Sequence, residues 1–519
     1  MVELIIKNGL VFLEGEKFEK VDIGISDGKI AKIGNLKNLN ASEVIDADGF
    51  VVSPGFIDMH SHDDFALTSG KPLLYKTYQG ITTEVTGNCG ISGAPLNERT
   101  DDFIKVNIAI IGNTEGKILW NSWDEFIETL KRANLSLNVV PLTGHGNLRL
   151  VSAGKKEKLN RDEIEKMKRN LEEIMKKGGW GFSTGLIYSP GIFSSTDEIV
   201  SLAEVVSKYG GIYSTHIRGE GDTVIEAVKE ACFIGEKAGV FVEISHLKCA
   251  GMKNWGKMDE VIKIIEEEKD VNFDVYPYTA GATHISALLP PSIRKKENIK
   301  ELLSDVGVRE KVKKEMLEDR GEWENFLLNC GAEKIIISSV NSEKNREIEG
   351  KNLKEISEMK RKDVVECILD IVTDEDGMAG IIVFSMSESN VKKLIKHKKG
   401  FIGTDGLPGK HPHPRLWGTF PRILRKYVRE EKLISLKDAL YKFTKGPAEK
   451  LGLKKRGEIR EGYFADIVIF DPDRVKDKAS FSNPEVKPDG IPYVIVNGEV
   501  IISNGEFTGK TSGKILLKT

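Results

Sequence analysis

The spacing of apolar residues divides the chain into two β-rich ends and a long middle of alternating strands and helices. Near the N-terminus, the runs ELIIKNGLVF and VDIGISDGKIAKIG contain Asn8-Gly9 and Asp27-Gly28, residue pairs that favour type I′ hairpin turns. The C-terminal runs ADIVIFD and YVIVNGEVIISNGEF have the same texture, with Asn497-Gly498 between two apolar segments. We therefore predict one small β-sandwich domain built from residues 1–52 and 455–519, with two unrelated hairpins as the alternative.

Between these ends, strand-like and helix-like runs alternate, which is typical of a parallel α/β fold. Ser122-x-x-Glu125 and Ser195-x-x-Glu198 fit the capping box that begins a helix. The strand candidates number eight, as a (β/α)8 barrel requires. They are VVSPGFIDMHSH, GITTEVTGNCG, LSLNVVPLTGHG, GGWGFSTGLIY, GGIYSTHIRGEGD, GVFVEISHLKCAG, DVNFDVYPYTAGATH and GFIGTDG. The sequence thus predicts an α/β fold, with a TIM-like barrel over residues 53–454.

One interval interrupts the alternation of strands and helices. Residues 290–400, approximately, form a long and highly charged stretch that reads as mostly helical, with KIIISS and GIIVFSMSES embedded in it. A structureless loop of this length is uncommon inside a compact domain. We interpret the stretch as a helical insertion before the last barrel strand, in the position of a lid over the barrel mouth.

Composition excludes several classes of protein. The net charge of -3 gives no basis for binding nucleic acid, and no apolar run approaches the ~20 residues that span a membrane. The N-terminus lacks the charged and apolar regions of a signal peptide. Five cysteines at irregular spacing (89, 232, 249, 330 and 367) make no disulfide framework, which favours a cytoplasmic location. Abundant Lys and Glu with a single glutamine, Gln79, suggest a thermophile.

Candidate chemistry begins with His60 and His62, which follow the apolar run that starts at Val51. Residues i and i+2 of an extended strand point to the same side, so both imidazoles can converge just past the strand end. Cys89, His216, His246 and Asp405 stand at the ends of four other predicted strands. The chemistry of a parallel barrel lies at the C-terminal ends of its strands. Six metal-competent side chains in equivalent places predict a site for zinc or a similar metal.

The chain resembles a known family at PGFIDMHSH, TGNCG, GFSTGLIY, THIRGEGD, SHLK, YPYTAG, GTDG, HPRLWGTFPRIL and TGKTSGKILLK. These segments look like the amidohydrolase superfamily, and more narrowly like its D-aminoacylase (N-acyl-D-amino-acid deacylase) branch. The resemblance runs nearly end to end. It implies a metal-dependent hydrolase barrel with a terminal β domain. Hydantoinase-like relatives carry a carboxylated lysine between two metals, but no lysine ends the third or fourth predicted strand here.

The resemblance also implies roles for the metal ligands. Cys89, His216 and His246 would hold one tight zinc ion. His60 and His62, with Cys89 shared between the sites, would form a weaker second site. Asp405 is then the expected general base and acid, because a carboxylate beside an activated water can take its proton and pass it to the leaving amine. Two roles are open for His145: orienting a ligand or bound substrate, or a purely structural one.

A substrate of this family also needs a clamp for its carboxylate. Lys248 is two residues after His246 and shares its side of the strand. Tyr278 and Arg415 match positions that contact substrate in the family, and a guanidinium suits a carboxylate because it offers two parallel donors. Family members often have YPYTAGST, whereas this chain has Ala282 in place of the serine, so we expect Thr283 to supply the hydroxyl.

The sequence therefore predicts zinc-dependent hydrolysis of the amide bond of N-acyl-D-amino acids, giving a D-amino acid and a carboxylate. The partner is a small-molecule substrate, and a homo-oligomer is compatible with the sequence. A cyclic-amide hydrolase of the hydantoinase or dihydroorotase type is the alternative, although the missing lysine counts against it; a D-dipeptidase is another. A scaffold that has lost its metal is a third, disfavoured because all six candidate side chains are present.

Overall fold

The computed structural model describes residues 2–105, 118–294, 298–318, 323–409 and 411–518. Across these ranges the long middle of the chain alternates between strands and helices, and both ends are β-rich. Within the same ranges, none of the helices combines the length and the apolar character that crossing a bilayer requires.

The strands of the described residues are numbered here in chain order. They are β1 (Val2–Lys7), β2 (Leu10–Leu13), β3 (Lys17–Lys20), β4 (Asp22–Ser26), β5 (Lys29–Gly34), β6 (Ala41–Asp46), β7 (Val51–Pro54), β8 (Phe56–Asp58), β9 (Ile81–Thr86), β10 (Asn138–Pro141), β11 (Thr143–Gly144), β12 (Gly181–Gly185), β13 (Ile212–His216), β14 (Phe241–Ile244), β15 (Val271–Val275), β16 (Gly281–His284), β17 (Ile335–Ser339), β18 (Gly380–Val383), β19 (Gly400–Ile402), β20 (Ile467–Phe470), β21 (Tyr493–Val496), β22 (Glu499–Ser503) and β23 (Glu506–Phe507).

The α-helices are numbered in the same way. They are α1 (Leu74–Thr77), α2 (Trp123–Arg132), α3 (His145–Ala153), α4 (Arg161–Lys176), α5 (Thr196–Ser207), α6 (Val224–Ala238), α7 (Met258–Glu267), α8 (Pro291–Arg294), α9 (Ile299–Leu302), α10 (Val306–Leu317), α11 (Phe326–Cys330), α12 (Leu353–Lys360), α13 (Val364–Asp374), α14 (Glu388–Lys396), α15 (Arg415–Arg422), α16 (Leu436–Phe443) and α17 (Lys445–Leu451). A π-helical segment, Ile423–Glu430, continues α15.

Eight parallel strands of the described residues form the barrel: β8, β9, β10, β12, β13, β14, β15 and β19. The short β11 continues the line of β10 and forms the parallel pairing with β12. The ring closes between the first and last strands, where the Met59 backbone N donates to Ile402 O at 3.1 Å. The predicted TIM-like barrel is confirmed.

The barrel helices begin largely where their capping residues predict. The Ser122 side chain accepts from Glu125 N, and Glu125 reaches back to the Ser122 backbone, so α2 has a complete capping box. Ser195 also caps its helix, α5, by accepting from Glu198 N. The Glu198 carboxylate, however, turns inward to His145 instead of returning to the cap. The prediction of a second complete capping box was therefore wrong.

Both ends of the chain build one pair of β-sheets. A four-stranded sheet has the order β5-β4-β1-β6, and a seven-stranded sheet has the order β23-β22-β21-β20-β7-β2-β3. The antiparallel pairing of β20 with β7 joins the C-terminal strands to the N-terminal ones. Ile6, Val52 and Ile467 lie in one buried apolar cluster. Burial of this shared cluster is what holds the two ends of the chain together.

The turns of this domain only partly follow the prediction. Asp27-Gly28 and Asn497-Gly498 each connect antiparallel partners, and all four residues have positive φ as a type I′ turn requires. Asn8-Gly9 does not form a hairpin, because β1 pairs with β4 and β6 whereas β2 pairs with β3 and β7. At this point the chain crosses from one sheet to the other.

The predicted strand beginning at Val51 is two strands. Val51–Pro54 belongs to the sandwich, and only Phe56–Asp58 belongs to the barrel. Gly55 lies at the change of sheet, where an added Cβ would meet Thr82 Oγ1 at 2.0 Å. A residue with a side chain would collide with Thr82, so glycine at this position lets β8 lie directly against β9.

The segment between β15 and β19 is not only helical. It contains an antiparallel sheet of order β16-β18-β17, and this sheet begins at Gly281, earlier than expected. Its apolar side chains, among them Ile335 and Ile381, form a cluster separate from the barrel core. Thr283, Phe326 and Val383 from this insertion line the cavity at the barrel mouth.

Candidate active site

One Cys and four His side chains converge at the C-terminal ends of the barrel strands. Cys89 Sγ lies 3.4 Å from His60 Nε2, 3.4 Å from His246 Nε2 and 3.7 Å from His216 Nδ1. His62 Nε2 lies 3.3 Å from His60 Nε2. A thiol surrounded by imidazole nitrogens is a donor set that suits zinc.

Asp405 completes the cluster from the last barrel strand. Its Oδ1 lies 3.2 Å from His62 Nε2 and 3.6 Å from His60 Nε2. Three groups of side chains in the described residues have ligand atoms close enough to share an ion: His60–His62–Cys89, Cys89–His216–His246 and His60–His246–Asp405. Cys89 belongs to two of these groups, which allows it to contribute to two neighbouring metal positions.

The backbone carries strain at three of these residues. Cys89, His246 and Asp405 have φ values of 52°, 36° and 46°, in the left-handed region that non-glycine residues seldom adopt. Each such conformation costs on the order of 1–3 kcal/mol and persists only where the surroundings enforce it. The turns at the ends of β9, β14 and β19 are thus bent so that these side chains point into the barrel mouth.

The electrostatic environment keeps the thiol and the carboxylate ionised. Burial alone would raise the pKa of the Cys89 thiol, but the neighbouring His60 and His246 lower it well below its usual value. Burial opposes ionisation of Asp405 as well, but the Arg415 guanidinium holds its pKa well below the usual range. A thiolate and a carboxylate are the forms that bind a metal and accept a proton.

Arg415, at the start of α15, is completely enclosed by the site. It is 1% exposed, and its guanidinium stacks on the Tyr276 ring at 4.5 Å. Nη1 lies 2.8 Å from Asp405 Oδ2, yet the direction is poor for a hydrogen bond. No guanidinium nitrogen of Arg415 has a hydrogen-bond partner within the described part of the chain. A buried cation with unused donors at a cavity wall is suited to receive an anion.

Lys248 also lines the cavity and, like Arg415, lies near the Tyr276 ring. Its Nζ donates to Glu220 Oε1 at 2.5 Å and lies 2.8 Å from His246 Nδ1. Both Lys248 and Glu220 line the cavity, together with His62, Tyr188 and Thr283. The cavity comprises about 820 Å³ of empty space, part of it open to solvent.

Comparison with known proteins agrees with this geometry. A family profile described as the amidohydrolase family matches residues 43–200 and 340–502. The D-aminoacylase of Alcaligenes xylosoxydans xylosoxydans is 34% identical over 505 residues, covering 96% of this chain and 94% of that protein. The chain belongs to the amidohydrolase family.

Two solved structures of the amidohydrolase family resemble the chain over nearly all of its length. One is N-acyl-D-glutamate deacylase from Bordetella bronchiseptica, complexed with zinc and a phosphonate inhibitor that mimics the tetrahedral intermediate of the reaction. It has a TM-score of 0.83 and 31% identity, and 99% of both chains is covered. The other is a D-aminoacylase with a binuclear metal centre, with a TM-score of 0.83, 32% identity and 100% of both chains covered. The resemblance to the D-aminoacylase branch is confirmed.

Not every residue singled out in the sequence reaches the cavity of this amidohydrolase-family chain. Thr283 does, and its Oγ1 lies 3.3 Å from the Tyr188 hydroxyl. Tyr278 does not line the cavity; its hydroxyl donates to Pro414 O at 3.4 Å and its ring lies against Arg422. Tyr276, two residues earlier, occupies the cavity wall instead.

His145 also lies outside the metal cluster. Its Nε2 lies 2.9 Å from Glu198 Oε1, and Arg149 Nε donates to the same oxygen at 3.1 Å. All three residues are buried. This cluster ties α3 to α5 and accounts for His145 without a ligand.

Sequence reasoning missed residues behind the site. Asp274, inside β15, accepts from His246 N through Oδ1 at 2.9 Å, and its Oδ2 lies 3.1 Å from His60 Nδ1. Lys76 is fully buried and donates to Asp58 Oδ2 at 2.6 Å and to Thr404 Oγ1 at 2.7 Å. Acidic residues inside apolar strands, as in VNFDV, were the available signal, because an unpaired buried charge is costly.

Proposed function

We propose that the chain hydrolyses the amide bond of N-acyl-D-amino acids in a zinc-dependent reaction, releasing a D-amino acid and a carboxylate. One observation carries the proposal: the buried Arg415, with its unused donors, borders the same cavity as the Cys–His cluster and Asp405. A substrate with a carboxylate near its scissile amide therefore meets a binding group and reactive groups together. The relatives named D-aminoacylase and N-acyl-D-glutamate deacylase support this assignment.

The donor set assigns the metal. Cys89, His216 and His246 would hold the tight zinc ion, and His60 and His62 would form a weaker second site with Cys89 shared. When bound, zinc supplies Lewis-acid chemistry that polarises a carbonyl and makes water more acidic. The D-aminoacylase of known structure is described by one-metal activation and second-metal attenuation, which supports two sites of unequal role.

Asp405 would move the proton. Its Oδ2 faces Arg415 and its Oδ1 faces the metal ligands, so Oδ1 is the oxygen that would accept the proton of a water attacking there. The protonated carboxyl then donates to the nitrogen of the leaving amine as the amide bond breaks. The ionised state enforced by Arg415 prepares Asp405 for the first of these steps.

Arg415 and Lys248 would hold the α-carboxylate of the substrate, and Thr283 would supply a hydroxyl. With the scissile carbonyl at the metal and the carboxylate at Arg415, only one enantiomer directs its side chain into the remaining cavity. Geometry alone requires one hand to be preferred, and the named relatives indicate that this hand is D.

Kinetics on paired N-acetyl-D- and N-acetyl-L-amino acids test the proposal. We expect turnover of the D compounds and little or none of the L compounds. Equal rates for both hands, or opening of hydantoins and dihydropyrimidines in preference to linear amides, would contradict it. D-dipeptides belong in the same panel, since faster cleavage of these would point to a dipeptidase. A thermophilic origin, a cytoplasmic location and a homo-oligomer stay predictions from the sequence.

A further inference from the structure

Glu220 lies just beyond β13 and connects the metal ligands to the substrate-binding side of the cavity. The residue is buried, and its Oε1 lies 2.9 Å from His246 Nδ1. The same oxygen accepts from Lys248 Nζ at 2.5 Å. Its other oxygen lies 3.8 Å from His216 Nε2. The Glu220 carboxylate therefore faces two of the three proposed ligands of the tight zinc ion, His216 and His246. It also faces Lys248, which is proposed to bind the substrate carboxylate.

The two ring nitrogens of His246 face different groups. Nε2 faces Cys89 Sγ at 3.4 Å, and Nδ1 lies 2.9 Å from Glu220 Oε1 and 2.8 Å from Lys248 Nζ. A carboxylate that accepts from Nδ1–H leaves the Nε2 lone pair directed at the metal position. His216 is arranged the opposite way, with Nδ1 toward Cys89 and Nε2 toward Glu220.

Lys248 depends on the same carboxylate. Its ammonium is buried, lines the cavity and lies 5.9 Å from the centre of the Tyr276 ring. A buried ammonium needs a compensating charge, and Glu220 is the carboxylate within hydrogen-bond distance of it. Glu220 therefore sets the position of the Lys248 ammonium. It also sets the point at which this ammonium would contact a substrate anion.

The backbone of Glu220 is fixed from two directions. Its N–H donates to the side chain of Glu324, a residue of the insertion. Its carbonyl accepts from Ala250 N at 2.6 Å, in the loop that follows β14. The insertion thus contacts the metal ligands indirectly through Glu220.

We propose that Glu220 is a positioning residue that sets two separate properties: the zinc affinity of Cys89, His216 and His246, and the place of Lys248 at the substrate carboxylate. The second half rests on the proposed function. The first half does not, because zinc binding can be measured without any substrate.

The test is the variant Glu220→Gln, which keeps the size of the side chain and removes its charge. Zinc affinity, measured by competition with a chelating dye, should fall by about 10- to 100-fold, the range typical for loss of a group that orients a metal-bound histidine. The KM for an N-acetyl-D-amino acid, measured at saturating zinc, should rise by a larger factor than kcat falls. Glu220→Asp, which restores the charge at a shorter reach, should recover part of the zinc affinity.

Glu198→Gln is the matched control. Glu198 is also buried and also faces a histidine and a basic side chain, His145 and Arg149, but none of these contacts the metal cluster. This variant should lower the thermal midpoint of unfolding and leave zinc affinity within about twofold of the parent. If both variants lose zinc to the same extent, the effect of Glu220 is merely structural and the proposal fails.

Lys248→Met separates the two halves. It should raise KM but, since Lys248 Nζ also lies 2.8 Å from His246 Nδ1, lower zinc affinity to a smaller extent than Glu220→Gln does. Adding Glu220→Gln to it should lower zinc affinity further with little further rise in KM. Unchanged zinc affinity in both Glu220→Gln and Glu220→Asp would overturn the first half. If Glu220→Gln loses zinc affinity while the zinc-loaded parent protein has no activity on any acylated amino acid, the first half is upheld and the proposed function is refuted.

Discussion

Arg415 Nη1 lies 2.8 Å from Asp405 Oδ2, so the expected carboxylate clamp and the expected proton carrier are in contact. An anion bound by this guanidinium would share it with Asp405. Binding of a carboxylate and the charge of Asp405 are therefore linked through one side chain. Charges this close inside a protein interact far more strongly than they do in water.

Asp405→Asn should lower kcat by ~10² or more and leave metal content unchanged. The amide retains the size and shape of the side chain but cannot accept the proton, and general acid–base groups typically contribute 10²- to 10⁴-fold. Steady-state kinetics and metal analysis of the same preparation would check this. A kcat near that of the parent protein would show that Asp405 is not the general base and serves only in the turn after β19.

Cys89→Ala should lose most of the tightly bound zinc and nearly all activity, because its Sγ lies within 3.7 Å of ring nitrogens of His60, His216 and His246. Cys232→Ala is the control: Cys232 is equally buried, but it lies in α6 within the barrel core. Metal analysis after dialysis should distinguish the two variants. Full zinc content in Cys89→Ala would refute the ligand assignment.

Arg415→Met should raise KM for an N-acetyl-D-amino acid far more than for the corresponding amide or ester. Loss of a charge-assisted hydrogen bond costs about 1.5–3 kcal/mol, or about 10- to 100-fold in binding. The loss of the Asp405 contact affects both substrates alike, so the ratio of the two KM changes isolates the carboxylate contact. A ratio near one would remove Arg415 from substrate binding.

Tyr276 and Tyr278 should differ sharply as targets of mutation. Tyr276→Ala removes the ring beneath the Arg415 guanidinium and should raise KM about tenfold or more, since buried cation–π contacts contribute on the order of 2 kcal/mol. Tyr278→Phe removes only a 3.4 Å hydrogen bond to a backbone carbonyl and should leave KM within about twofold. If Tyr278→Phe raised KM more than Tyr276→Ala did, Tyr278 would be the substrate-binding residue, as first inferred from the sequence.

The periodicity of the sequence predicts the barrel and its strand ends well, because both follow from alternation within single segments. His60 and His62 converge as an i, i+2 pair should, and Cys89, His216, His246 and Asp405 follow from the same rule at other strands. The family resemblance placed Tyr278 at the substrate, but β15 ends at Val275 and Tyr276, not Tyr278, lines the cavity.

Periodicity within single segments does not predict contacts between residues that are far apart in the sequence. Glu198 has the spacing of a capping residue, yet two buried basic partners on α3 draw it away. Glu220 looks like loop material in the sequence, and only the folded chain shows that its carboxylate faces Lys248 and His246. The role of Gly55 likewise depends on Thr82 of a neighbouring strand.

The pairing of β7 with β20 has a consequence for the order of events during synthesis. β7 leads through Gly55 into β8 and on to His60, and its partner β20 lies close to the other end of the chain. Synthesis must therefore pass Phe470 before β7, which precedes the first histidine, can pair with β20. Contacts of such long sequence separation form late, since loop closure must precede them. The nascent chain is thus expected to acquire its metal only after translation is essentially complete.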